Sequence, residues 1–282
     1  MVNFNGKLLS ETTFISIHNR GYKYGDALFE TLKVVDNNIL FWEDHYFRLM
    51  ASMRILRMEI PMSFTMEFLE EEILKTVEAN ALSGENTRVR FNVDRGEGGT
   101  YMPMQDSINY SIVVESLEHS AYSFNDTENY RVDLFKDHYV NAGMLSNLKS
   151  NSKVINVLAN IYAKENELDN CILLNNNKGV VEATQGNLFF VQGNTIKTPT
   201  LSDGALKGIM RKQIMELIKE YEDYSIEEVS ISPFEIQKSD EVFITNVITG
   251  IQSVTHYRKK EFKCTVAKQL LEKLNEKLGL TS

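Results

Sequence analysis

Apolar positions recur by twos in some stretches of the chain and by threes and fours in others, and the change of period predicts most of the elements. Residues 1 to 17 alternate around Asn5-Gly6, with Phe4, Leu8, Phe14, Ile15 and Ile17 apolar, which predicts an opening hairpin. FETLKVV and ILFW flank Asp36-Asn37-Asn38 and predict a second hairpin. From 43 to 57, Tyr46, Leu49, Met50, Met53 and Leu56 fall on one helical face, with Pro61 beyond its end, and residues 64 to 79 repeat that period. Residues 87 to 94 and 108 to 116 read as strands on either side of the glycine-rich RGEGGTYMP.

Residues 117 to 130 lose all periodicity and carry turn formers, so a boundary is expected there. It gives a small lobe over 1–118, a linker over 119–127 and a large lobe over 128–282. The second lobe opens with a strand at 131–136. A helix at 152–166 follows, with Val154, Ile155, Val157, Leu158, Ile161 and Tyr162 expected on its buried side. CILLN, VVEAT and NLFFV then predict a β-meander, followed by a short IKT strand, a helix from Gly208 to Tyr221, a strand at 241–246, the loop VITGIQSV and a closing helix at 264–278. The expected fold class is α+β in two lobes.

Composition narrows the function. The 282 residues are 43% hydrophobic and 24% charged with a net charge of −9, and acids and lysines are interspersed rather than sorted into a basic stripe, which excludes a nucleic-acid backbone binder. No apolar run approaches the ~20 residues that span a bilayer, and the first residues lack a basic segment followed by an apolar one, so a cytoplasmic protein without a membrane partner is expected. Cys171 and Cys264 stand apart from any CxxC or Cys/His spacing, so neither a metal site nor a disulfide is predicted.

Four features carry candidate chemistry. Lys149 precedes Ser150, Asn151 and Ser152, all good N-caps, which would place its ammonium at the positive end of the next helix and favour the free amine that carbonyl chemistry requires. Its ordinary alternative is a solvated loop lysine. Glu182 interrupts the apolar VVEATQGNLFF, where a carboxylate needs a partner such as a protonated ring nitrogen, or else lies on an exposed edge. SDGALKGIMRKQIMELI is a glycine-containing turn opening a helix, so the amides of Ile209 and Met210 could bind phosphate, although neither a Walker loop nor a dinucleotide fingerprint is present. Arg48 lies one helical turn from Asp44, as a simple ion pair or as a phosphate clamp.

The order of NRGYKYGDALFET, HYFRLMAS, LKSNSKVINVLA, NNKGVVEATQGNLFFV, TPTLSDGALKGIMR and DEVFITNVITGIQSV resembles the class IV aminotransferases, pyridoxal-phosphate enzymes of fold type IV that include branched-chain aminotransferases, D-amino-acid aminotransferases and aminodeoxychorismate lyases. The resemblance implies a homodimer with pyridoxal 5'-phosphate in the interlobe cleft. It makes Lys149 the Schiff-base lysine and proton shuttle, and Glu182 the partner of the pyridine nitrogen. Arg48, Gly208 and the amides of Ile209 and Met210 would hold the phosphate, Leu206 would pack on the ring, and Asn187, Asn246 and Val247 would shape the cofactor site. Tyr24, Phe29 and Ile248 would line the substrate pocket, and Arg90 or Arg95 would bind the substrate carboxylate.

Met210 and Val247 stand where several aminotransferases carry hydroxyl side chains, and GIMR with Asn246-Val247-Ile248 is closer to the lyases. Arg90 instead matches the branched-chain enzymes, and Thr100 replaces the arginine of the D-amino-acid enzymes. The expected reaction is amino transfer between a small, branched-chain-like α-amino acid and a 2-oxo acid. The alternatives are aminodeoxychorismate cleavage to p-aminobenzoate and pyruvate, a non-catalytic scaffold of the same fold, and a nicotinamide dehydrogenase.

Overall fold

A computed structural model describes residues 1–10, 15–124 and 129–280, so Phe14 of the opening hairpin and positions 125–127 of the expected linker lie outside the described residues. The chain forms two compact units: Met1–Ser120 with Lys149–Ser152, and Ala121–Leu148 with Lys153–Ser282. No described helix is long and apolar enough to cross a membrane.

In the first unit, β1 (Val2–Phe4), β2 (Lys7–Leu9), β3 (Ala27–Val35), β4 (Asn38–Ile39), β5 (Thr87–Arg95) and β6 (Ile108–Ser116) make one sheet in the order β2-β1-β6-β5-β3-β4. Asp36 and Asn37 both take left-handed backbone, the conformation a tight two-residue hairpin needs, and so close β3 onto β4. The expected ILFW strand is cut short, because pairing stops at Ile39 and Phe41 turns left-handed to open a helix. Trp42 serves that helix, its Nε1 donating to Met66 O at 3.3 Å. A short α1 (Arg20–Tyr24) precedes β3, while α2 (Trp42–Ile55) packs on β3 and α3 (Met66–Ala79) on β6.

The pleat divides the sheet. Leu28, Leu32, Val34, Val89, Phe91 and Val93 share one face and are buried with Leu49, Met50 and Met53 of α2. Phe29, Thr31, Lys33, Arg90 and Asn92 alternate onto the other face. Each fully buried aliphatic side chain contributes about 1.5–3 kcal/mol, enough to hold the register of the sheet.

In the second unit, one sheet runs β16-β15-β7-β8-β9 and another β12-β11-β10-β13-β14. Their strands are β7 (Arg131–Leu134), β8 (Asn170–Leu174), β9 (Val180–Ala183), β10 (Asn187–Gln192), β11 (Thr195–Thr198), β12 (Ser225–Glu228), β13 (Glu241–Asn246), β14 (Gly250–Val254), β15 (His256–Tyr257) and β16 (Lys260–Glu261). The predicted meander is therefore split: β8 and β9 pair in one sheet, whereas β10 leaves to pair with β11 and β13. Side chains of both sheets, among them Leu134, Ile172, Leu188, Phe190, Val242 and Ile244, share one core, which is what the departure of β10 makes possible. The expected loop VITGIQSV is half strand, β14 folding back on β13.

Around these sheets lie α4 (Val154–Glu165), α5 (Ile209–Ile218), the single turn α6 (Pro233–Ile236) and α7 (Thr265–Leu278). The expected buried face of α4 is corrected. Ala159 and Ala163 are buried against Phe135, Cys171 and Leu173 with Ile155 and Tyr162 packed beside them, while Val154, Val157, Leu158 and Ile161 are exposed. Six apolar positions cover more of the helix than one sheet can, and small alanines allow the closer approach.

Candidate active site

The helix-dipole expectation for Lys149 also fails. The N-cap of α4 is Lys153, without a side-chain cap bond, and Ser150, Asn151 and Ser152 lie before the helix. Residues 149–151 instead extend the edge of β3: Phe29 N–H donates to Lys149 O at 2.8 Å, Asn151 N–H donates to Ala27 O at 3.0 Å, and Ser150 bridges Leu28 antiparallel. This pairing puts Lys149 on the same face as Phe29, and its Nζ stands 4.5 Å from the Phe29 ring centroid. Arg90 covers the same ring, its Cζ at 3.9 Å, and donates to Asn92 Oδ1 at 3.1 Å and Asn151 Oδ1 at 3.5 Å.

On the helix-covered face, Glu30 of β3 meets α2. Arg48 reaches it from the helix: its Nε donates to Glu30 Oε1 at 2.8 Å and its Nη2 to Oε2. His45 Nδ1 lies 2.7 Å from Oε2. Burial raises the Glu30 pKa, but the Arg48 charge and the bonds from His45 and Arg48 outweigh it and bring it down to about 2. Burial pushes the His45 pKa down, opposed by Glu30 and assisted by the charges of Arg48 and Lys149. Ionised Glu30 can only accept, so the neutral ring donates from Nδ1 and leaves Nε2 as an acceptor. That Nε2 is buried without a hydrogen-bond partner in the chain.

Glu30 and His45 were missed by sequence reasoning. Their signals are a carboxylate inside the apolar LFETLKVV and a histidine one turn before Arg48. Arg95 is engaged within the unit: its Nε donates to Asp26 at 2.9 Å and its Nη1 to Arg57 O at 3.0 Å and Asp106 at 2.9 Å. Tyr24 is exposed at the end of α1, tilted against Tyr101 at 5.9 Å.

In the second unit, two side chains grip one residue. Leu206 N–H donates to Glu182 Oε2 at 2.8 Å, and Asn187 Nδ2 donates to Leu206 O at 2.9 Å. Gly208 then opens α5 without a side-chain cap, and the first amides there belong to Ile209 and Met210, whose side chains are buried. A Cβ on Gly208 would stand 1.9 Å from Asn187 Oδ1, so this approach requires glycine. At the β13–β14 turn, Asn246 Oδ1 accepts from Ile248 N–H at 3.0 Å and Thr249 N–H at 2.8 Å, and Val247 O accepts from the Tyr122 hydroxyl at 2.8 Å. Among the described residues no cluster of three His, Cys, Asp or Glu could hold a metal ion.

The chain is 27% identical over 278 residues to a Methanocaldococcus jannaschii protein provisionally named a branched-chain-amino-acid aminotransferase, covering 98% of this chain and 94% of that one. It is 23% identical over 252 residues to the aminodeoxychorismate lyase of Vibrio harveyi, covering 89% and 90%. The branched-chain aminotransferase of the thermophilic archaeon Thermoproteus uzoniensis, in its crystal structure with norvaline, shares the fold, with a TM-score of 0.86 at 21% identity over 98% of this chain and 93% of that one. The sequence profile of amino-transferase class IV matches residues 27–257. The chain belongs to the class IV aminotransferases.

Proposed function

We propose that the protein uses pyridoxal 5'-phosphate to transfer an amino group between a small, branched-chain-like α-amino acid and a 2-oxo acid. The carrying observation is the lysine on the edge of β3, where two backbone hydrogen bonds hold its segment to the strand and its amine stands 4.5 Å from the centroid of the buried Phe29 ring. The donor set fits a phosphorylated pyridine aldehyde: an amine for the aldehyde, a guanidinium and helix amides for the phosphate, and a carboxylate for the ring nitrogen. The unpartnered Nε2 of His45 also calls for a further polar group beside Arg48 and Glu30.

When bound, the cofactor supplies an electron-poor ring that accepts the electron pair of the breaking Cα–H bond. Lys149 would be the residue that holds it, and Nζ, once displaced by the substrate amine, would take and return the α-proton. Glu182, aimed by Leu206 N–H, would hold the ring nitrogen protonated, and Leu206, gripped by Asn187, would support the ring. Arg48, oriented by Glu30, and the amides of Ile209 and Met210 would hold the phosphate, with Gly208 allowing the close turn. Asn246 shapes the turn that carries Val247 and Ile248. Phe29 lines the pocket and Arg90 takes the substrate carboxylate, because its partners are neutral amides whereas Arg95 is occupied.

Borohydride treatment of the yellow holoenzyme tests this. It should bleach the protein and label Lys149, and Lys149→Ala should fold but lose turnover. A label elsewhere, or retained activity, contradicts the assignment. Met210 and Val247, without hydroxyls, favour the lyase as a second reading. Leucine with 2-oxoglutarate should yield glutamate under the first reading, and aminodeoxychorismate should yield pyruvate under the second.

A homodimer belongs to the same reading, supported by the apolar stripe that α4 leaves in water. Sedimentation should give twice the chain mass at micromolar concentration, and a monomer there contradicts it.

A further inference from the structure

The arginines of the first unit's sheet and its surroundings differ in one respect. Arg88 is paired with Glu115, Arg20 with Asp26, Arg95 with Asp26 and Asp106, and Arg48 with Glu30. Arg90 alone of these donates only to amide oxygens, and among the described residues no carboxylate lies within ion-pair distance of it. It keeps its whole charge in a half-buried position, on a ring that is 9% exposed.

The same ring carries the Lys149 amine. With Cζ at 3.9 Å and Nζ at 4.5 Å from one centroid, the two groups cannot be farther apart than these spans laid end to end. Asn151, two residues after Lys149 on the same extended segment, accepts from Arg90 and ties the guanidinium to the lysine's own backbone. Elsewhere in this unit Glu30 is paired with Arg48, His45 is neutral, and Lys33, on the same sheet face as Phe29 and Arg90, adds positive charge of its own. Arg90, with no carboxylate at ion-pair distance among the described residues, therefore turns a positive field on this face.

We propose that Arg90 is a positioning residue acting electrostatically on Lys149: its unneutralised guanidinium over Phe29 favours the neutral amine, and a carboxylate that binds Arg90 removes that bias. The second half rests on the function proposed above. A like charge at this range disfavours protonation, by roughly one pH unit at the effective dielectric of a protein. The cofactor-free lysine is thus biased toward the nucleophilic free base, and it becomes a stronger base when the acid group of a substrate occupies Arg90.

The test uses cofactor-free protein with its lysines carrying 13C-dimethyl labels, the Lys149 signal being assigned through Lys149→Arg. The NMR titration midpoint of Lys149 should rise by about one pH unit in Arg90→Gln and return most of the way in Arg90→Lys. Adding 4-methylpentanoate, which has a carboxylate but neither amine nor carbonyl, should raise the midpoint in the wild type and leave Arg90→Gln unmoved. Equal midpoints in wild type and Arg90→Gln overturn the first half, and a wild-type midpoint indifferent to the acid overturns the second. Neither readout needs the cofactor, so borohydride labelling at another lysine would sink the functional reading and leave this titration standing.

Discussion

Gly208 has no unusual backbone angle, yet no other residue fits beside Asn187. In Gly208→Ala the new methyl forces the Asn187 amide aside, which breaks its bond to Leu206 O and leaves a buried polar group unpaired. The expected loss is about 1–3 kcal/mol, measured by urea unfolding. Most of it should be recovered when Asn187→Ala is added, because the obstruction is then gone, and a purely additive double mutant would show that the clash is not the cause. Glycine at a helix start can be read from a sequence, but the asparagine facing it cannot, because the two are brought together by the pairing of β10 with β13 and the return of the chain through Leu206. Glu30 was hidden for a related reason. A carboxylate within an apolar strand signals only that some partner exists, and the partners, His45 and Arg48, come from another element.

At the scale of elements, α2, α3 and β5 follow their hydrophobic periods, each burying one face. Where the apolar stripe is wider than the surface that covers it, or the backbone partner lies far off in sequence, the period misleads. The apolar stripe of α4 exceeds what β8 can cover, and the stretch after Lys149 satisfies its amides on β3 rather than serving as a helix cap. The N-terminus of α7 makes the same point. Its amides at Val266 and Ala267 bond to the buried carboxylate of Glu241, at 2.9 and 3.2 Å to Oε2, so the cap is supplied from a neighbouring strand. None of these pairings has a local signature, because a backbone N–H donates to any correctly placed oxygen.

For the molecule as a whole, stability should depend on pH through Lys33, which is 2% exposed on the face shared with Arg90. Burial lowers its pKa from the ordinary 10.5 to about 8. Between those values the unfolded chain binds the extra proton, so raising the pH through this window stabilises the fold, by up to about 3 kcal/mol at the top of the range. Lys33→Met removes the dependence. The variant should be the more stable protein at pH 8, and its advantage should shrink by pH 10, as read by urea unfolding at each pH. Parallel curves for the two proteins would show that the amine is not desolvated as described.

By itself the sequence determined the two-period pattern, the α+β class, most element positions and the family, because these depend on residue type and near-neighbour spacing. Only the tertiary structure decided which sheet each strand joins, which side of α4 is covered, what aims Arg48, and that Lys149 and Arg90 share one aromatic ring. Those outcomes turn on long-range backbone pairing and on burial, where an unpaired charge or amide costs kilocalories, and chain-local pattern carries no record of which distant group will meet it.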